Sequence, residues 1–174
     1  PDNKTTPLSD DEMRLAGTFQ AEWDTENIWA LSPSKNSGYP YLRAIPPEED
    51  IALPSGTMTS ATLRGYMADS SFRSRDYYLT GNIVLTDPWT PLYSTAQPFT
   101  GILDGRGYRI TGFSLPGGSD NGFFTAIGPV GEARNLAISG TSNTIATDSR
   151  VGLLAGRNHG IAYRCSSSGS VTGS

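Results

Sequence analysis

Hydrophobic positions in this chain come in short clusters separated by glycine, proline and polar corners, and the clusters recur. The stretch Phe99-Thr100-Gly101-Ile102-Leu103-Asp104-Gly105-Arg106-Gly107-Tyr108-Arg109-Ile110-Thr111-Gly112 sets the grammar. Ile102 and Leu103 lead into Asp104-Gly105, a dipeptide suited to a turn with positive φ because glycine carries no Cβ. Tyr108–Thr111 then reads as a strand of aromatic and β-branched residues. Arg134-Asn135-Leu136-Ala137-Ile138 and Tyr163-Arg164-Cys165 read as comparable strands. Ile110 to Leu136 is a step of 26 residues and Leu136 to Cys165 one of 29, while Gly122-Phe123-Phe124 matches Gly152-Leu153-Leu154 at 30. Such periods mark stacked units whose core is continuous between neighbours. Each unit holds short strands and corners with no room for a helix, which excludes a helical repeat. A β-sandwich would show longer alternating strands joined by hairpins. The pattern predicts an all-β parallel β-helix (solenoid), with Ile110, Leu136 and Cys165 in one inward stack and Phe124 and Leu154 in another.

Upstream the pattern differs. Ser9-Asp10-Asp11-Glu12 is a capping box, opening a short helix through Met13 and Leu15 that Gly17 stops. Phe19, Trp23, Trp29, Tyr39 and Tyr41 form an aromatic segment broken by Pro33 and Pro40. These rings either stack on sugars or pack a small cap. Ile45-Pro46-Pro47-Glu48-Glu49-Asp50 reads as a linker, dividing the chain into residues 1–47 and 48–174. From Ser60, Leu63, Tyr66 and Met67 fall at i, i+3, i+4, one short amphipathic helix ended by Asp69-Ser70-Ser71. Tyr77-Tyr78-Leu79 and Asn82-Ile83-Val84-Leu85 are the first strands expected.

Composition narrows the chemistry. A chain of 174 residues that is 36% hydrophobic supports a core, and 20 glycines with 12 prolines imply many corners. The net charge of −4, with scattered lysines and arginines, argues against a nucleic-acid partner. No apolar run reaches the roughly 20 residues of a membrane-spanning helix, so no membrane insertion by this segment is expected. The chain begins at Pro1, so the lack of a signal peptide says nothing about secretion. Asn3-Lys4-Thr5 matches a glycosylation sequon, which carries no meaning in an ordinary bacterium.

His159 is the only histidine and Cys165 the only cysteine, six residues apart. In a solenoid His159 falls at a corner and Cys165 on the following strand, an arrangement that does not assemble a nucleophile and base. Cys165 reads as a small apolar residue, inert to thiol reagents until the fold opens. One histidine and one cysteine exclude a zinc site of the usual kind, and no cofactor motif is present. Asp87, Asp104, Asp120 and Asp148 are the carboxylates to weigh, because glycan-cleaving β-helices use outer-surface acids. Asp104 and Asp120 are each explained as turn residues. No calcium loop is present, and Gly105-Arg106-Gly107 and Gly117-Gly118 are corners rather than phosphate loops.

Val151-Gly152-Leu153-Leu154-Ala155-Gly156-Arg157-Asn158, continuing through Tyr163, Cys165 and Gly169-Ser170-Val171-Thr172-Gly173, resembles the GLUG repeat of bacterial surface proteins. Phe99-Thr100-Gly101 with Leu103–Tyr108 resembles the segment that opens such arrays. Tyr78–Leu85 with Trp89-Thr90-Pro91-Leu92 is similar to the strand pair before it. Glu12-Met13, Phe19, Trp23-Asp24, Trp29 and Tyr39–Leu42 are similar to the segment that closes one array before the next. Ala155 and Gly81 depart from the usual pattern and blur the level boundaries. The resemblance implies a right-handed parallel β-helix in a secreted or cell-surface protein. Such repeats occur in adhesins, filamentous-haemagglutinin-like exoproteins and the non-catalytic parts of immunoglobulin-cleaving peptidases.

Two functions follow as expectations: a non-catalytic, extracellular adhesin-like module, or a carbohydrate-active β-helix that binds or cleaves polysaccharide. A host glycan or protein is the partner class the first implies, together with neighbouring repeats of a longer chain. The second requires a groove with clustered acids, whereas the charges here are dispersed. Ser166–Ser174 finishes in mid-repeat, so the expectation is that a further level normally covers Val171.

Overall fold

In the computed structural model, residues 9, 11–15, 24, 28–32, 35–42, 49–143 and 150–172 are described. The chain divides into two compact units, Pro1–Asp50 and Ile51–Ser174. In the first, β1 (Trp29–Ala30) pairs antiparallel with β2 (Tyr41–Leu42). The capping box forms: the Ser9 amide donates to Glu12 Oε2 at 2.8 Å, and the Glu12 amide returns to Ser9 Oγ at 3.3 Å. It opens only one tight turn, Glu12–Arg14. Gly17, Phe19, Trp23, the sequon and the prolines of the linker lie outside the described residues.

The second unit is a parallel β-solenoid. One sheet stacks β3 (Ile51–Leu53), β5 (Tyr77–Leu79), β7 (Ile102–Asp104), β10 (Glu132–Arg134) and β13 (Ile161–Tyr163), in that spatial order. The other stacks β4 (Gly56–Met58), β6 (Ile83–Leu85), β8 (Arg109–Leu115), β11 (Ala137–Asn143) and β14 (Ser166–Thr172). Every pairing within both sheets is parallel. The third side carries β9 (Phe124–Ile127) and β12 (Ala155–Asn158), with Leu92 and Phe99 bridging to β9 from the level before. At the first level a helix follows β4 instead: α1 (Ser60–Met67), capped by Thr59, whose side chain accepts from the Thr62 amide. Leu63 and Met67 are fully buried while Tyr66 is exposed, so the i, i+4 pair alone carries the apolar face. The level built from β3 and β4 was not legible in the sequence, where residues 51–58 carry no repeat signature.

Alternation explains the core. Tyr77, Leu103 and Ala133 point inward along the first sheet, and Ile83, Ile110 and Ile138 along the second. Burying each large apolar side chain stabilises by roughly 1.5–3 kcal/mol. Aromatic rings stack along the axis as well. Phe99 and Phe124, on successive levels, lie 4.5 Å apart with their planes 7° off parallel. Trp89 lies 4.4 Å from Phe123, and its indole N–H donates to the Phe123 carbonyl at 2.9 Å.

The register corrects three expectations. Ile110 lies beside Ile138, not Leu136. The corner before β8 spans four residues, Gly105–Tyr108, whereas Asn135–Leu136 and Arg164–Cys165 span two each, and sequence spacing alone hides the difference. Leu136 and Cys165 do correspond, but both sit at corners immediately before paired strands, so Cys165 is not within a strand. On the third side Phe124 pairs with Ala155 rather than Leu154, because Asn121 bridges Val151 and one extra residue enters between the two contacts. The turn after Asp104 takes its positive φ at Arg106 and Gly107, not at Gly105. Gly105 answers to a close approach instead: a Cβ there would stand 2.6 Å from Leu136 Cα.

Candidate functional site

The four carboxylates weighed from the sequence do not gather into one site. Asp87 Oδ1 accepts the Ser60 amide at 2.6 Å, tying the start of α1 to the next level. Asp104 ends β7 and is almost wholly buried. Its Oδ2 accepts from Arg134 Nε at 3.0 Å, and its Oδ1 from the Arg106 amide at 2.9 Å and Asn135 Nδ2 at 3.2 Å. Burial by itself would raise this carboxyl, but the Arg106 amide, the Arg134 guanidinium and the Asn135 amide outweigh it and hold it below its usual range. Asp120 receives a two-point contact from Arg157, Nε to Oδ1 at 2.8 Å and Nη2 to Oδ2 at 3.0 Å, with Arg150 at 3.4 Å. Those hydrogen bonds lower its pKa. Asp148 lies outside the described residues. Each of the three placed acids therefore serves a separate structural contact.

The thiol and the imidazole are also apart in role. His159 is exposed at the corner after β12, its amide donating to the Ile127 carbonyl at 3.0 Å. Cys165 is half-buried, its Sγ donating to the Ala133 carbonyl at 3.3 Å, and burial pushes the thiol up. It shares a cavity of about 210 Å³ with Leu136, Ile138, Leu154, Ala162, Ser166 and Ser167, a lining that holds no histidine, carboxylate or lysine. Among the described residues no group of three or more His, Cys, Asp or Glu is placed to hold a metal. In the first unit, Trp29, Tyr39 and Tyr41 are half-buried, and the Arg14 guanidinium covers the Tyr39 ring at 4.8 Å. That geometry favours packing over a free stacking face for sugar.

What the fold does gather is a set of arginines and tyrosines that look scattered in the sequence. The last three of the five corners joining the first sheet to the second lie one above another. The Gly105 amide donates to the Arg134 carbonyl, Gly107 to Asn135, and Asn135 in turn to Tyr163, at 2.8 to 3.0 Å. Arg106, Asn135 and Arg164 occupy this column with φ of 50° at each. Arg106, Tyr108, Arg109, Tyr163 and Arg164 are all exposed. The Arg106 guanidinium sits 3.5 Å from the centroid of the Tyr78 ring, and that of Arg164 5.1 Å from Tyr163. The cluster could have been suspected from Arg106 and Arg164, each just after a first-sheet strand. The four-residue corner between β7 and β8 masked the correspondence.

With the geometry in place, comparison with known proteins adds one finding. Over 76 residues the chain is 40% identical to a protein of Evansella cellulosilytica that carries the name Gly-rich membrane protein. The match covers 42% of this chain and 9% of that protein, so the chain spans less than a tenth of the relative's length. No protein-family model matches the chain, and no solved structure matches it. The similarity is compatible with a place at the cell envelope. Among the described residues no helix is long and apolar enough to cross a membrane.

Proposed function

We propose that this chain is a non-catalytic module of a bacterial cell-surface or secreted protein, a GLUG-type β-solenoid that presents binding surface in an adhesin-like setting. The observation that carries this reading is the use made of the acids. Asp87, Asp104 and Asp120 each hold the backbone or an arginine, and they share no hydrogen-bond partner, unlike the paired carboxylates of a hydrolytic site. The stacked sheets meanwhile supply extended outer faces, a form suited to extended ligands. Similarity of part of the chain to a membrane protein supports an envelope location.

Incubating the protein with a panel of polysaccharides, then measuring both array binding and chain-length profiles, tests this. Binding with unshortened chains is the expected result. Release of new chain ends, abolished by Asp104→Asn or Asp120→Asn, would overturn it in favour of a carbohydrate-active enzyme.

A further inference from the structure

The column of corners between the two long sheets carries more than the fold requires. Residues in the left-handed region pay a steric penalty unless they are glycine, and asparagine tolerates it best among the others. The middle level follows that preference with Asn135, whereas the levels on either side place Arg106 and Arg164 there, each at φ 50°. Arg106 covers the Tyr78 ring and Arg164 lies beside that of Tyr163, yet both cations stay exposed at positions where stability favours glycine or asparagine. Charge sets the corner apart as well. The chain as a whole is acidic, at −4, yet the corner exposes Arg106, Arg109 and Arg164 with no exposed carboxylate among its residues. Its one acid, Asp104, is turned in, and its side chain is 4% exposed against Arg134. Tyr108 and Tyr163, 39% and 44% exposed, flank the cations.

We propose that this corner is a binding strip for an acidic polysaccharide, with Arg106, Arg109 and Arg164 taking its carboxylate or sulfate groups and Tyr108 and Tyr163 lying against its sugar rings. The planar guanidinium fork matches a carboxylate by two parallel hydrogen bonds, which an ammonium cannot do. Apolar faces of sugar rings pack on aromatic rings while their hydroxyls stay in water. Parallel levels stand about 4.8 Å apart, so Arg106 and Arg164, two levels apart, are spaced by roughly 10 Å. An extended chain of acidic sugars offers charges at comparable intervals along one direction. A nucleic acid is disfavoured, because the strip offers only three cations on a negatively charged body. The inference rests on the reading of the chain as a binding module and names the ligand class and the surface.

Titration of the full chain with soluble polygalacturonate, a neutral dextran and a single-stranded oligonucleotide, at low and high salt, tests it. The wild type is expected to bind polygalacturonate alone, and less tightly as salt rises. Arg164→Gln is expected to weaken binding about tenfold, the effect of one charge-assisted pair. Arg106→Gly is expected to weaken it similarly while leaving the thermal midpoint little changed, since relief of the φ at that position offsets the lost contact with the Tyr78 ring. That second variant separates binding from folding. Arg150→Gln, away from the corner, should bind as wild type. No polygalacturonate binding, undiminished binding by both corner variants, or equal binding of the oligonucleotide would each overturn the proposal. Binding of dextran unaffected by the corner variants would remove the strip and leave the binding-module reading standing. Shortening of the polymer would refute the non-catalytic reading while leaving the strip intact if the corner variants still weaken binding.

Discussion

The aromatic stack between levels offers a quantitative test of how the solenoid holds together. Phe99 and Phe124 are wholly buried and belong to different levels, so their contact joins turns of the coil rather than neighbours in sequence. Phe99→Ala should cost about 3–5 kcal/mol through lost transfer energy and the cavity left behind. Against a total stability of about 5–15 kcal/mol for an ordinary domain, that is a fifth or more. Only part of the loss belongs to ring stacking. Offset-stacked pairs contribute about 0.5–1.5 kcal/mol beyond area burial, and the 4.5 Å, 7° geometry is of that kind. A double-mutant cycle with Phe99→Leu and Phe124→Leu isolates it, since leucine keeps most of the apolar volume. Urea denaturation followed by far-UV circular dichroism should give a coupling of about 0.5–1.5 kcal/mol. The same cycle on Phe99 and Phe113, which share no ring contact among the described residues, should be additive within about 0.5 kcal/mol. Equal coupling in both cycles, or none in the first, would refute stacking between levels as a distinct source of stability.

Three further outcomes follow from the same contacts. Leu136 is 2% exposed, so Leu136→Asp places a carboxylate in the core and should abolish the cooperative melt; a soluble variant with a sharp transition would refute its burial. Cys165, half-buried and with its thiol pushed up by burial, should resist alkylation at neutral pH and react fully in denaturant, and rapid native labelling would contradict that environment. Asp104 has a folded pKa held below its unfolded value, so its stabilisation is present above about pH 4 and is lost as pH falls through the folded value. Asp104→Asn should therefore destabilise at pH 7 and narrow its gap to wild type on acidification, whereas a gap that widens toward low pH would reverse the sign.

The architecture was legible because glycine corners and strand-sized apolar clusters recur at intervals no helix could fill. Parallel pairing, the helix at Ser60–Met67 and the strands at Tyr77–Leu79 and Ile83–Leu85 all follow from local pattern. Register was not legible. A corner that grows from two residues to four shifts the start of the next strand by two, and two is also the side-chain period of a strand. Sequence spacing therefore marks Ile110 and Leu136 as inward, as both are, while pairing each with a position two residues from its true neighbour. The level from Ile51 to Met58 escaped notice because α1 takes the place of its third strand, so nothing in it repeats. Asp104 has the local pattern of a turn residue; its buried pairing with Arg134 depends on a neighbour 30 positions away. The arginine corner escaped for the same reason, since its members meet only once the register is known.

That register supports both the core and the proposed strip, and one cross-linking measurement tests it directly. In a Cys165→Ser background, Arg109→Cys with Ala137→Cys joins residues that face each other across β8 and β11. Neighbouring parallel strands lie about 4.8 Å apart, within disulfide reach. Arg109→Cys with Asn135→Cys is the pair that simple sequence spacing would align. Mild oxidation followed by peptide mapping should show the 109–137 link in the folded protein and little of the 109–135 link. Efficient formation of the 109–135 link with none at 109–137 would contradict the register and, with it, the stacked corner that places Arg106 and Arg164 on one line.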